Sequence, residues 1–176
     1  MTNTELLAQY RANRIVTDKK FLKQLRSPIL FPLYTMTTLP MAFLAGIKVK
    51  SIDLDTCQIT VPYKWLNQNP FKSTYFAVLS MAAEMSTGMP ALIMTRNSNP
   101  SVSMLVTHLE ANFVKKATGV TIFTFTEGKQ MTEAVEKAIL TGQPQTYTGT
   151  SIGTSQSGEV EARFKVEWSF KMRSQK

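Results

Sequence analysis

Glu84 is the one charged side chain in the run from Ser73 to Gly88, which reads STYFAVLSMAAEMSTG. A carboxylate on an apolar helix has few fates. Burial disfavours its charged form and lifts its pKa towards neutrality, where a carboxylate serves as a general base or attacks a carbonyl directly. An unpaired buried charge costs several kcal/mol, so Glu84 must be paired, protonated or functional. The start of the same helix carries unpaired backbone N–H groups and a partial positive charge, which suit a developing oxyanion. Fifteen positions before Glu84 stands Asn69, followed by Pro70, a turn signal ahead of the helix.

Each of these residues has a second reading. Glu84 could be a structural acid paired with Lys or Arg across an oligomer interface, and Asn69 a turn residue alone. Ser80, one turn before Glu84, is a small packing residue or a polar group of the site. His108, the only histidine, reads as a satisfied interface residue, Cys57 as an inert strand residue, and Trp65 and Trp168 as packing anchors.

The elements that must position Glu84 follow from periodicity. Residues 3–26 read as a helix, with Leu6, Leu7, Tyr10, Phe21, Leu22 and Leu25 at helical spacing. Ser27-Pro28 opens a second helical stretch towards Phe43, which Pro40 should break or end. Ile47–Lys50 and Cys57–Tyr63 alternate as strands, and Asp53–Thr56 joins them as a hairpin. Ser73 or Thr74 should cap the apolar helix, with Gly88 and Pro90 loosening or ending it and Ala91–Met94 adding a turn. A helix apolar on nearly every side is a buried one. Residues 102–115, 118–126, 145–154 and 160–172 read as strands. The last is the clearest: Val160, Ala162, Phe164, Val166, Trp168 and Phe170 alternate with Glu161, Arg163, Lys165, Glu167 and Ser169. Between strands, Met131, Val135 and Ile139 stripe a helix over 129–141, which should cover the sheet or a pocket. The class is α+β: a long antiparallel sheet with one apolar helix against it. Its free edge calls for a partner, so a dimer is expected.

This order of elements, together with Asn69–Gly88, resembles the hotdog-fold acyl-CoA thioesterases of the PaaI-like and hydroxybenzoyl-CoA type. In that family an Asn precedes the helix, a His-Gly-Gly element opens it and an acid follows about two turns in. Tyr75, Phe76 and Ala77 stand here in place of His-Gly-Gly, and Glu84 in place of the commoner Asp. The segment Leu109–Ala117 is similar to the family's strand ending in a Pro-Ala turn. The resemblance implies a single hotdog domain over 1–176, with a helical extension at 1–44 and the core at 45–173. It implies hydrolysis of a thioester, of coenzyme A or an acyl carrier. Glu84 would be base or nucleophile. Asn69 would hold the water or the carbonyl, and the N–H of Phe76 or Ala77 would form the oxyanion hole. Tyr75 and Ser80 would line the substrate. Asn and acid would come from different subunits of a homodimer or dimer of dimers, with no cofactor and no metal. A non-catalytic acyl or CoA-ester binding protein on the same fold is the alternative.

Composition bounds the rest. The 176 residues suit one domain, and 43% are apolar. With one Cys and one His, no intrachain disulfide forms and a structural zinc site is nearly excluded. The net charge of +8 favours anionic partners such as coenzyme A phosphates. It is spread in pairs such as Lys19-Lys20 and Lys115-Lys116, without the basic stripe or motif that nucleic-acid binding requires. Ser27–Ile47 is broken by Pro28, Pro32 and Pro40, and no apolar stretch is expected to reach the roughly 18 residues of a membrane span. Glu5, Tyr10 and Arg11 interrupt any secretory pattern, which points to a cytoplasmic protein.

Overall fold

The computed structural model describes residues 2–173, and the side chains of all of these except 15–18. Met1 and residues 174–176, the ends of the expected 1–176 domain, lie outside the described residues. Helix α1 (Asn3–Arg26) opens with a capping box: the Thr2 hydroxyl accepts from the Glu5 N–H at 3.3 Å, and the Glu5 carboxylate accepts from the Thr2 N–H at 2.7 Å. It docks by the buried Tyr10, whose hydroxyl donates to Met94 O at 3.0 Å. Helices α2 (Leu30–Thr38) and α3 (Pro40–Ala45) follow. Pro40 makes the expected break, since the residue before a proline is pushed out of helical backbone, and Leu39 takes φ −138° and ψ 60°. The Ser27 hydroxyl accepts from the Leu30 N–H at 3.1 Å.

Strands β1 (Lys48–Ile52) and β2 (Cys57–Val61) form the expected hairpin. Asp53 holds its turn, accepting from the N–H groups of Asp55 and Thr56 at 2.8 and 2.7 Å. After a short 3-10 turn at Trp65–Asn67 comes α4 (Phe76–Thr95), then β3 (Val102–Phe113), β4 (Thr121–Phe125), α5 (Gly128–Thr141), β5 (Gln145–Thr154) and β6 (Val160–Met172). The six strands form one antiparallel sheet in the order β1-β2-β4-β5-β6-β3. Its inner face wraps α4: Ile59, Phe123, Phe164 and Phe170 are buried against Ala82, Met85, Ile93 and their neighbours. The α+β expectation holds, and so does the stripe of α5, where Met131, Val135 and Ile139 are wholly buried.

Three expectations need correction. Helix α4 starts at Phe76 with Tyr75 at its cap position and no side-chain cap, rather than on Ser73 or Thr74, whose side chains belong to the preceding turn. Neither Gly88 nor Pro90 ends it, because burial on the sheet outweighs their local cost, and Ala91–Met94 extend it as the alternative reading had it. At 20 residues it is long and apolar enough to cross a membrane by length and composition, although 67% of that window is buried inside the protein, as for a core helix. Trp65, expected as a packing anchor, is 78% exposed on the 3-10 turn. Trp168 does anchor the core, donating from Nε1 to the Thr87 hydroxyl at 2.9 Å.

Candidate active site

Glu84 sits midway along α4 on the side that the sheet leaves open. Among the described residues its carboxylate has no hydrogen-bond or ion-pair partner, and burial lifts its pKa from 4.5 to about 7. One turn on, Gly88 is what gives the carboxylate room. A Cβ there would meet Glu84 Oε1 at 2.8 Å and the Trp168 ring at 3.1 Å. Glu84 lines a chamber of about 420 Å³ whose floor is Met81, Met85, Met89 and Leu92 of α4. Its outer wall is Leu39, Pro40 and Met41 at the junction of α2 and α3, and Met104 of β3 lies at one side.

Asn69 lies elsewhere. It lines a second pocket of about 560 Å³ at the start of α4, with Tyr75, Phe76, Leu79, Phe113, Lys115 and Lys116. Its amide is occupied with its own turn. Oδ1 accepts from the Phe71 and Ser73 N–H groups at 2.9 and 3.3 Å, and Nδ2 donates to the Ser73 hydroxyl at 3.0 Å. Above it, the N–H groups of Phe76 and Ala77 have no acceptor among the described residues, as first-turn amides without a side-chain cap. Aromatic rings wall them: Tyr75 lies edge-on to Phe76 at 4.8 Å, and Phe76 to Phe113 at 6.2 Å. The Ser80 hydroxyl donates back to Phe76 O at 2.9 Å.

One chain therefore brings Asn69, Tyr75, Phe76 and Ala77 together at the helix start and holds Glu84 apart. Eight residues of helix separate Phe76 from Glu84, about 12 Å along the axis. Sequence reasoning missed Asn67, which is 1% exposed. Its Nδ2 donates to Ala45 O and Pro62 O at 2.8 and 2.7 Å, and its own carbonyl accepts from the Tyr75 N–H at 2.7 Å. It thus ties α3 and the end of β2 to the mouth of α4, and the spacing Asn67-Gln68-Asn69 was its only signal. The methionine lining was visible only as a count, ten in the chain.

A family model for DUF4442, a domain of unknown function, matches residues 29–168. The chain belongs to that family. The DUF4442 match begins at α2, so it includes the outer wall of the Glu84 chamber. No curated protein matches the sequence. Among solved structures, a protein of unknown function from Chlorobaculum tepidum is 15% identical with a TM-score of 0.71, over 90% of this chain and 98% of that one. A Pseudomonas aeruginosa protein described as a probable thioesterase is 14% identical with a TM-score of 0.68, over 84% and 97%. A thioesterase from Haemophilus influenzae is 12% identical with a TM-score of 0.62, over 85% and 95%. At such identities the likeness speaks for the fold. The DUF4442 chain has the hotdog fold, as its sheet and central helix led one to expect.

Proposed function

We propose that this chain hydrolyses the thioester of an acyl-CoA or acyl-carrier substrate, with Glu84 as general base. The observation that carries this is Glu84 itself: a carboxylate without a partner among the described residues, its pKa raised by burial to about 7, at the wall of an apolar chamber. The fold is shared with proteins described as thioesterases. In the proposed step Glu84 takes a proton from water, and the water oxygen bonds to the thioester carbon. The resulting oxyanion accepts from a free N–H at the start of α4. The C–S bond then breaks, and the thiolate takes the proton back from Glu84, leaving a carboxylic acid and a free thiol.

Those donors come from a second copy. Strand β3 is a sheet edge of 12 residues with Leu105, Leu109 and Phe113 exposed, the kind of edge that pairs. A full-length antiparallel pairing of β3 with its twofold mate sets the Met104 end of one strand against the Phe113 end of the other. Met104 lines the Glu84 chamber and Phe113 lines the Asn69–Phe76 pocket, so the two half-sites join across the dimer. Lys115 and Lys116 beside the latter pocket suit the phosphates of coenzyme A.

The test is thiol release from a panel of acyl-CoAs. Turnover by the wild type, with a fall of about 10²-fold or more in Glu84→Gln, is expected. Equal rates in the two proteins would make Glu84 structural. One observation favours the alternative, a non-catalytic binder of acyl or CoA esters: the Tyr75 and Phe76 rings crowd the helix start. Binding of CoA esters without release of any thiol is the outcome that would select it.

A further inference from the structure

Resting on that function, we infer the class of acyl group: an unbranched aliphatic chain on the order of ten carbons, housed between α4 and the α2–α3 wall. The chamber decides this by what lines it. Met41, Met81, Met85, Met89 and Met104 supply five unbranched, polarizable side chains that mould to a flexible chain. Polar groups able to read a substituted ring are nearly absent. The Thr38 hydroxyl gives its proton to Tyr34 O at 2.6 Å and can only accept, and the other polar side chains of the lining are Tyr34 and Glu84. When ionised, Glu84 repels an acyl group that ends in a second carboxylate. Size sets the length. A methylene occupies about the volume of a water molecule, roughly 30 Å³. The chamber of about 420 Å³ therefore has room for on the order of ten carbons. Its floor is fixed, because α4 is pinned to the sheet through Trp168 and Thr87. Its wall is thin and faces solvent: Met41 is 64% exposed and Leu39 38%. Helices α2 and α3 thus act as the outer side of an acyl sleeve.

The experiment has a kinetic arm and a binding arm. In the first, kcat/KM is measured for straight-chain acyl-CoAs from acetyl to palmitoyl, together with benzoyl- and succinyl-CoA. Each added methylene should raise kcat/KM about fourfold until the sleeve is full near decanoyl. Benzoyl- and succinyl-CoA should fall at least about tenfold below decanoyl-CoA. In the second arm, calorimetry follows 1-decanol, an uncharged probe that needs no turnover. Met41→Trp narrows the sleeve from its exposed wall, where folding tolerates the change, and Leu92→Trp does so from the floor. Either variant should weaken decanol binding at least tenfold and move the kinetic optimum to shorter chains. Efficient benzoyl-CoA hydrolysis with poor decanoyl-CoA hydrolysis would overturn the inference and leave the thioesterase reading standing. So would a response that is flat in chain length. Decanol binding that both tryptophans abolish, in a protein that releases no thiol, would uphold the sleeve and sink the thioesterase reading. Decanol binding indifferent to both tryptophans would overturn the sleeve.

Discussion

A single titration at Glu84 pulls activity and stability in opposite directions. As the base it must be ionised, so kcat/KM is expected to rise with pH through about 7. Stability runs the other way, because the folded pKa is raised. Below about 4.5 the carboxyl is protonated in folded and unfolded chains alike, and its contribution is intact. Between 4.5 and about 7 the unfolded chain ionises first, and about 3 kcal/mol is lost by the time the folded form ionises too. Thermal melts across that window should show wild type losing ground to Glu84→Gln; parallel curves would mean that the carboxyl is not desolvated. Gly88 supplies a second test. Gly88→Ala favours the helix by about 1 kcal/mol but puts a methyl 2.8 Å from Glu84 Oε1. Turnover should fall on the order of ten- to a hundredfold while circular dichroism shows the fold kept. At this scale the sequence reveals Glu84, because isolation on an apolar helix is a local property. It does not reveal Gly88 or Asn67, whose roles depend on the Trp168 ring and on Ala45 O, brought in from other segments.

Among the elements, alternation and stripes are legible because one face of each is buried. β6 alternates inward Phe164, Val166, Trp168 and Phe170 with outward or partly covered residues, and α5 hides its Met131-Val135-Ile139 stripe. Elements whose limits are set by their neighbours are not legible. Helix α4 runs on through Pro90 to Thr95 because the sheet buries it, and the segment after β2 turns Trp65 outward. The extent of α1 is clear from its spacing, but its docking is not, since that depends on Tyr10 meeting a carbonyl 84 residues away. Tyr10→Phe removes the bond to Met94 O and should lower unfolding free energy by about 1 kcal/mol or more in denaturant titrations. Val135→Asp, which buries an unpaired charge, should cost several kcal/mol and leave little folded protein by the same measure.

For the molecule as a whole, sedimentation at micromolar concentration tests the shared site. A species near twice the 19.7 kDa chain mass is expected. Leu109→Lys on the β3 edge should shift it towards monomer and lower turnover with it, while a wild type that stays near 20 kDa would separate the two half-sites for good. The strand order carries another consequence, for how the chain is made. β6 is synthesised after every other strand of the domain, yet it lies inside the sheet between β5 and β3, pairing Val102 with Met172. Until it emerges from the ribosome, β3 has no neighbour and Trp168 cannot reach Thr87. Helix α4, apolar enough for a bilayer, meanwhile lacks the part of its cover that β6 supplies. Burial of the inner sheet face around α4 is therefore complete only once β6 has docked between β5 and β3.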